Sequence, residues 1–303
     1  IEIGSNDGIM LKHFAKKNTV LGVDPATNVV LRALKKNVNT LPVFYNNEIS
    51  KKIKREYGGA DLIIANNCIA HTNHLNDLIK GVKNNLTKKG IFVAEFNYWG
   101  KMVENNNYSL IYHEHYSFFS LKVWINFLKK YGLKIFDACI TDAQGGTLRI
   151  YCSQTNRAKT KRLNKIIKYE KLNKINSHGV AIKYRKNVNL LTKKLKNITY
   201  KLKKSGKTIS CYGAAAKGMT ILKCSKIDKK IIDYFVDDSP AKQGLYSAGD
   251  HIPIISRENA QKKLPDYFII SAPNFADAIL SKERKFIENG GKFIIPKDDV
   301  LIL

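Results

Sequence analysis

Ile1-Glu2-Ile3-Gly4-Ser5-Asn6-Asp7-Gly8, followed by the apolar-periodic run Ile9-Met10-Leu11-Phe14, is the stretch whose reading decides the fold. An apolar strand ending in an acid, then two glycines four apart, then a helix, is how an α/β fold brings bare backbone close to a small cofactor. Ser5 and Asn6 occupy the tight turn, so the spacing is Glu-x-Gly-x-x-x-Gly and not the G-x-G-x-x-G dinucleotide fingerprint. Leu21-Gly22-Val23-Asp24 reads as a second strand ending in a carboxylate, where a ribose diol would be held by two hydrogen bonds. Gly4, Ser5, Asn6, Gly8, Asp24 and Pro25 are therefore the first cofactor-binding candidates. An ordinary strand, turn and helix with a structural glycine is the competing reading.

Working outward, residues 26–36 read as a helix, 38–44 as a short strand and 51–57 as a polar helix stopped by Gly58-Gly59. Ala60 to Asn67 is an apolar strand capped by two amides. The carboxyl ends of strands form the ligand crevice of a doubly wound sheet, so Asn66 and Asn67 should face the cofactor, unless they only cap a helix. Residues 75–86 are helical, and Lys89-Gly90 turns into a strand, 91–95, that carries a further terminal acid, Glu95. This alternation predicts a mostly parallel sheet. Residues 98–116 break it with a polar, aromatic loop, of a kind that commonly carries function at the strand-end face. A helix over 121–131 and a strand pair, 133–139 and 147–152, close a first domain over residues 1–152.

Residues 153–205 are lysine-rich and helically periodic, which predicts two or more connecting helices with solvated charged faces. A second, smaller Rossmann-like α/β domain then covers 206–303, with strands over 207–213, 231–235, 267–271 and 293–296. Its turn, Ala214-Ala215-Ala216-Lys217-Gly218, offers backbone amides and one lysine to an anion such as a phosphate or diphosphate. A purely structural alanine-rich turn is the alternative.

Composition narrows the classes. The 303 residues suffice for two cores, and 44% hydrophobic with 25% charged residues is globular. The net charge of +27 raises a nucleic-acid partner. Lysine, asparagine and isoleucine are enriched everywhere, however, even where no aromatic residues interleave, so a compositional bias is the preferred reading and no nucleic-acid partner is expected. Cys68, Cys139, Cys152, Cys211 and Cys224 are far apart, without a C-x-x-C pair, which fits neither a disulfide framework nor a zinc site but suits a reducing cytoplasm. No apolar run reaches the roughly eighteen residues of a membrane span, and no membrane partner is expected. The chain opens without Met inside an expected buried strand, so a preceding N-terminal part is expected.

Tyr112-His113-Glu114-His115-Tyr116 carries the chemistry. Histidine exchanges protons near neutral pH, and an adjacent carboxylate can orient it and stabilise its cation. Metal ligation by His113, Glu114 and His115 and a merely hydrogen-bonded aromatic loop remain open from the residues alone.

The opening spacing resembles motif I of the S-adenosylmethionine methyltransferases. Taken together, Glu-Ile-Gly-Ser-Asn-Asp-Gly, Val-Asp-Pro-Ala, Ala-Asn-Asn-Cys-Ile-Ala-His, Ile-Tyr-His-Glu-His-Tyr-Ser and Gly-Gly-Thr-Leu-Arg are similar to the nucleotide-sugar C-methyltransferase family. Tyr-Gly-Ala-Ala-Ala-Lys-Gly, Asp-Asp-Ser-Pro-Ala-Lys-Gln-Gly and His-Ile-Pro-Ile resemble that family's second domain. The likeness implies an S-adenosylmethionine-dependent enzyme that methylates the carbon beside the ketone of a deoxy-4-keto sugar on a nucleoside diphosphate. It further implies zinc only in an N-terminal module that is absent here, together with the tyrosine which that module lends. Removing a proton α to a ketone needs a base and a donor near the enolate oxygen. On this reading His115 is the base and Glu114 holds its imidazole, while Tyr112 and His71 position the sugar or assist at the oxygen. Tyr212, Gly213, Lys217, Gly218, Lys242 and Gln243 would hold the nucleotide. Sugar O-methylation and a non-catalytic nucleotide-binding module are the alternatives.

Overall fold

The computed structural model describes residues 1–297 and 299–303. Its two compact units are Ile1–Lys101 with Glu114–Asn176, and Met102–His113 with Ser177–Leu303.

In the first unit the elements run β1 (Glu2–Ile3), β2 (Gly22–Val23), α1 (Thr27–Lys35), β3 (Thr40–Leu41), α2 (Asn47–Tyr57), β4 (Ala60–Asn66), α3 (Leu75–Asn85) and β5 (Leu86–Asn97). Then come α4 (Trp99–Glu104), whose last turn passes into the second unit, α5 (Leu121–Lys129), β6 (Lys134–Thr141), β7 (Thr147–Ser153) and α6 (Lys161–Leu172). The sheet order is β3-β2-β1-β4-β5-β7-β6. The first five strands are parallel, whereas β7 runs antiparallel to both β5 and β6. Strand order reverses between β1 and β4, which is the switch point where a doubly wound sheet opens its crevice.

Strand alternation sorts the side chains by face. Ile3, Val23, Ile63, Ala65, Phe92, Ala94, Phe96, Leu148 and Ile150 share the buried face, packed with Ile53, Ile79, Val82 and Trp124 from α2, α3 and α5. Trp124 stacks on Phe96 with ring centroids 5.0 Å apart. The helices begin where a side chain can take an orphan amide: Asn46 accepts from Ile49, Ser120 from Val123, and Thr160 from Leu163. Gly58, at φ 80°, lets α2 end in the left-handed region.

The second unit follows α7 (His178–Lys204) with β8 (Ile209–Tyr212), α8 (Ala216–Cys224), β9 (Phe235–Val236), β10 (Ile254–Ile255), α9 (Arg257–Ala260), β11 (Tyr267–Ile270), α10 (Ala276–Lys282), α11 (Arg284–Glu288), β12 (Lys292–Pro296) and β13 (Val300–Ile302). Its order β10-β9-β8-β11-β12-β13 repeats the 3-2-1-4-5 pattern of the first sheet, with one antiparallel edge strand.

The α/β class and the two Rossmann-like sheets are as the sequence implies, and three details differ. No α-helix follows the first turn. Asn6 (φ 51°) and Gly8 (φ 70°) are left-handed, Met10 provides no side-chain cap, and only the 3₁₀ turn Leu11–His13 forms. Residues 231–234 are not a strand, because Asp228 accepts from the amide of Lys230 through its side chain and from Ile231 and Ile232 through its carbonyl. The third difference is in the boundaries. The expected connecting segment 153–205 divides between the units, α6 going with the first and α7 with the second, and residues 102–113 also pack in the second unit. Buried Glu170 is what fixes α6. Its oxygens accept from Tyr98 Oη at 3.0 Å and from the α5 N-terminal amides of Leu121 and Lys122 at 2.6 and 2.9 Å.

Candidate functional site

Gly4 turns the chain after β1 at φ 70°, and a Cβ there would stand 2.7 Å from Cys68 Cβ. The position is closed to side chains by both conformation and space. Ser5 points inward. It is 2% exposed, and its Oγ lies 2.5 Å from where a Cβ on Gly22 would be, so the side chain expected to meet a cofactor is instead packed beneath the turn. Asn6 is exposed, and its backbone amide donates to Asp24 Oδ2 at 2.9 Å. Asp24 Oδ1 accepts from Ala26 N at 2.9 Å, so the carboxylate clasps both its own loop and the first turn, and each oxygen keeps a lone pair for a further donor. Gly8 is buried against Val38, while Pro25 is exposed.

At the end of β4, Asn66 is half-buried, with its amide 3.7 Å from Met10 Sδ. Asn67 takes φ 51° and gives its backbone amide to Glu95 O at 2.8 Å, which makes it a turn residue and not a helix cap. The 3₁₀ turn Ile69–His71 follows, and Tyr116 N donates to Ala70 O at 2.8 Å. That bond ties the aromatic loop to the end of β4 and sets the rings of His71 and His115 edge to face, 4.8 Å apart. Phe118 lies at 6.0 Å on His115. Forty-odd residues of intervening chain are thus closed to bring together the two histidines that sequence reading selected.

The tetrad itself is divided. Glu114 and His115 belong to the first unit, whereas Tyr112 and His113 end the 102–113 segment of the second. Within that unit the segment is held by Tyr184 Oη donating to Asn107 O at 3.0 Å, and by buried Met102, Tyr108 and Leu110. Glu114 is exposed and Tyr112 half-buried. Among the described residues, no three His, Cys, Asp or Glu side chains converge as a metal site.

The second unit repeats the first turn's construction. Gly213, at φ 94°, ends β8, and Asp237 Oδ2 reaches back to accept from Ala214 N at 2.7 Å while Oδ1 accepts from Ser239 N at 2.9 Å. Desolvation opposes ionisation of Asp237, but the Ser239 and Ala214 amides and Lys242 outweigh it and hold its pKa below the usual value. Lys242 Nζ donates to that carboxylate at 3.0 Å and to Ala214 O at 2.9 Å, and Gln243 Nε2 to Asp237 O at 3.0 Å. Both are braces of the turn, and Lys242 keeps one donor to spare. Burial lowers the pKa of Lys217. Gly218 has its missing Cβ 2.4 Å from Ser271 Cβ, a close helix-to-strand approach. Tyr212 corrects the sequence reading. It is 4% exposed, in the core with Phe268 and Phe293, and its hydroxyl donates to Glu283 Oε1 at 2.9 Å, so its side chain is not available to a nucleotide.

Sequence reading passed over one cluster. Glu95 is 4% exposed and accepts from Thr147 Oγ1 at 2.7 Å and from Arg149 Nε at 2.6 Å, next to Asn97 at the end of β5. The strand-terminal acid and the Gly-Gly-Thr-Leu-Arg run were its visible signals. A cavity of about 460 Å³ near Leu21, Ala60 and Asp61 lies at the amino ends of β2 and β4, the wrong end of the sheet for this chemistry.

Comparison with known proteins adds the following. Residues 142–297 match the family described as C-methyltransferase C-terminal domain, and residues 1–138 the methyltransferase domain family. The C-methyltransferase NovU of Streptomyces niveus is 30% identical over 98% of this chain and 71% of its own length. Among solved structures, the plantazolicin methyltransferase BpumL with a pentazolic desmethylPZN analog and SAH (13% identity, 51% of this chain, 76% of that chain) has a TM-score of 0.40. A SAM-dependent methyltransferase from Anabaena variabilis (14% identity, 51% and 76%) has the same score. No helix among the described residues is long and apolar enough to cross a membrane.

Proposed function

Because the chain belongs to the C-methyltransferase family and is an S-adenosylmethionine-dependent enzyme of that kind, we propose that its substrate is a keto-deoxysugar carried on a nucleoside diphosphate, methylated at the carbon beside the ketone. The observation that carries this reading is the His71–His115 pair, two imidazoles at 4.8 Å beside the carboxyl ends of β4 and β5. One imidazole next to another gives a base for a carbon-bound proton and a donor for the oxygen that becomes negative as that proton leaves.

The first turn fits the cofactor. Gly4 leaves its backbone bare, and Asp24 is braced by Asn6 N with lone pairs left for a diol. Gly4, Asn6, Gly8, Asp24 and the β4 end at Asn66 and Asn67 would hold S-adenosylmethionine, which supplies an electrophilic methyl group. The chain's residues do the rest. A nitrogen of the His115 imidazole takes the proton from the carbon α to the ketone, and Glu114 steadies the imidazolium. His71 donates towards the enolate oxygen, and the His115 imidazolium later releases the proton to solvent. Alignment of the sugar carbon then governs the rate.

In the second unit, the backbone amides of Ala215, Ala216 and Lys217 at the start of α8, the Lys217 side chain and the spare donor of Lys242 form a cationic turn suited to the diphosphate. The charge of +27 favours anionic small ligands in general. The test is product analysis. The protein is incubated with S-adenosylmethionine and nucleoside-diphosphate 4-keto-6-deoxysugars, and the new methyl group is located by NMR. A methyl group on carbon adjacent to the ketone is expected, and one on a hydroxyl oxygen would refute the proposal.

A further inference from the structure

β5 ends in Asn97, a side chain 7% exposed whose Oδ1 has no hydrogen-bond partner among the described residues. A buried acceptor left unpaired is costly, and native proteins keep few of them without a use. Its neighbours, in contrast, are fully engaged. Asn97 stands opposite Thr147 in the β5–β7 ladder, and two residues earlier Glu95 is held by Thr147 and Arg149, so the strand end around the unpaired Oδ1 is hydrogen-bonded.

The position matters because both histidine-bearing segments are pinned to this strand end. The chain entering the His71 turn is tied at Asn67, whose amide donates to Glu95 O. The chain leaving His115 is tied at Phe119, which bridges Tyr98 and accepts from Trp99 N at 2.9 Å. Asn97 thus lies between the two attachments, one residue from one and two from the other. We propose that Asn97 is a specificity-determining residue, its Oδ1 accepting the proton of a sugar hydroxyl next to the carbon that is methylated. A carbonyl oxygen can only be satisfied by a donor, and a hydroxyl flanking the reacting carbon is the donor that a keto sugar presents. A site built to accept from a hydroxyl rejects the analogue that lacks it. This inference rests on the keto-sugar reading above.

The experiment uses the full chain with Asn97→Leu, which keeps the branched shape without the acceptor, and Asn97→Ala as a second variant in case the larger leucine packs badly. Two nucleotide-linked keto sugars are compared, one with and one without the hydroxyl neighbouring the methylated carbon. KM for the hydroxylated sugar should rise at least tenfold in both variants, with KM for the deoxygenated sugar and the affinity for S-adenosylmethionine unchanged. The free Asn97→Leu protein should melt at or above the wild-type temperature, since an unpaired acceptor has been removed. Equal KM changes for the two sugars, a loss of cofactor affinity that places Asn97 on the cofactor, or a lower melting temperature with intact discrimination would each overturn the assignment. If the wild-type protein methylates no nucleotide-linked sugar at carbon, the keto-sugar reading and this inference fall together; wild-type turnover with undiminished discrimination in the variants overturns this inference alone.

Discussion

Replacing Asp24 with Ala tests the first turn more sharply than any other single change in the cofactor region. The carboxylate is 9% exposed and accepts the backbone amides of Asn6 and Ala26, both at 2.9 Å. Hydrogen bonds to a charged group contribute about 1.5–3 kcal/mol each, so losing two should destabilise the first unit by about 3 kcal/mol at the low end. For a unit of this size, about 2–4 °C of melting temperature accompanies each kcal/mol, which gives a fall of about 6–12 °C. Cofactor affinity carries a separate prediction. If the remaining lone pairs bind a ribose diol, removing two such bonds at a similar strength should weaken S-adenosylmethionine binding by about 100-fold or more, since 1.4 kcal/mol is a factor of ten. Asp24→Asn separates the effects further, because its amide nitrogen can no longer accept from one of the two backbone donors and should cost about half as much. Differential scanning calorimetry and titration calorimetry on the same preparations read both quantities. An unchanged melting temperature would show that Asp24 does not clasp the turn, and unchanged cofactor affinity would show that it does not hold the ribose.

Gly4→Ala should be worse tolerated than its size suggests, because φ 70° costs about 1–2 kcal/mol for any Cβ and Cys68 Cβ stands 2.7 Å away; chemical denaturation would read a loss of about 2 kcal/mol or more. Glu170→Ala orphans Tyr98 Oη and the α5 amides, and a loss of about 3 kcal/mol or more is expected in urea unfolding, with α5 and α6 exchanging hydrogen fastest. Burial pushes the Glu2 carboxyl up to about 7 in the folded chain against 4.5 unperturbed. The folded state then holds more protons than the unfolded one between those values, so stability should fall as pH rises from about 4.5 to about 7 through this group. Glu2→Gln should flatten that slope in pH-dependent unfolding, and an identical slope would show that Glu2 is not the cause.

The sequence is legible where a backbone requirement forces residue type. Gly4 and Gly213 follow buried strands at positive φ, and both are visible as strand-then-glycine; Asp24 and Asp237 end the neighbouring strands because a carboxylate there can hold the turn's amide. His115 is singled out by its His-Glu-His run and His71 by the family resemblance, but that their rings meet at 4.8 Å is not legible, because more than forty residues of chain lie between them. What was not legible depends on partners far away in the chain. Nothing local to Glu170 shows that it caps α5, so α6 looked like a linker when it belongs to the first unit. Tyr212 reads as a ligand contact from the resemblance of its Tyr-Gly-Ala-Ala-Ala-Lys-Gly run, and nothing local shows that Glu283, 71 residues on, takes its hydroxyl. Residues 9–14 carry helical periodicity, but periodicity does not show that two left-handed residues precede them and that no cap is present.

The central claim is that His115 removes a proton from carbon, and the most direct measurement is exchange of that proton with solvent. The protein is incubated in deuterium oxide with the nucleotide-linked keto sugar and S-adenosylhomocysteine, so that methyl transfer cannot follow, and the hydrogen α to the ketone is observed by NMR. Deuterium should replace that hydrogen in the wild type. His115→Ala should lower the rate by a factor of roughly 10² or more, the scale of general-base catalysis, while leaving cofactor affinity unchanged. Exchange at the wild-type rate in His115→Ala, or methylated product formed by a wild-type protein that exchanges no carbon-bound hydrogen, would contradict the account.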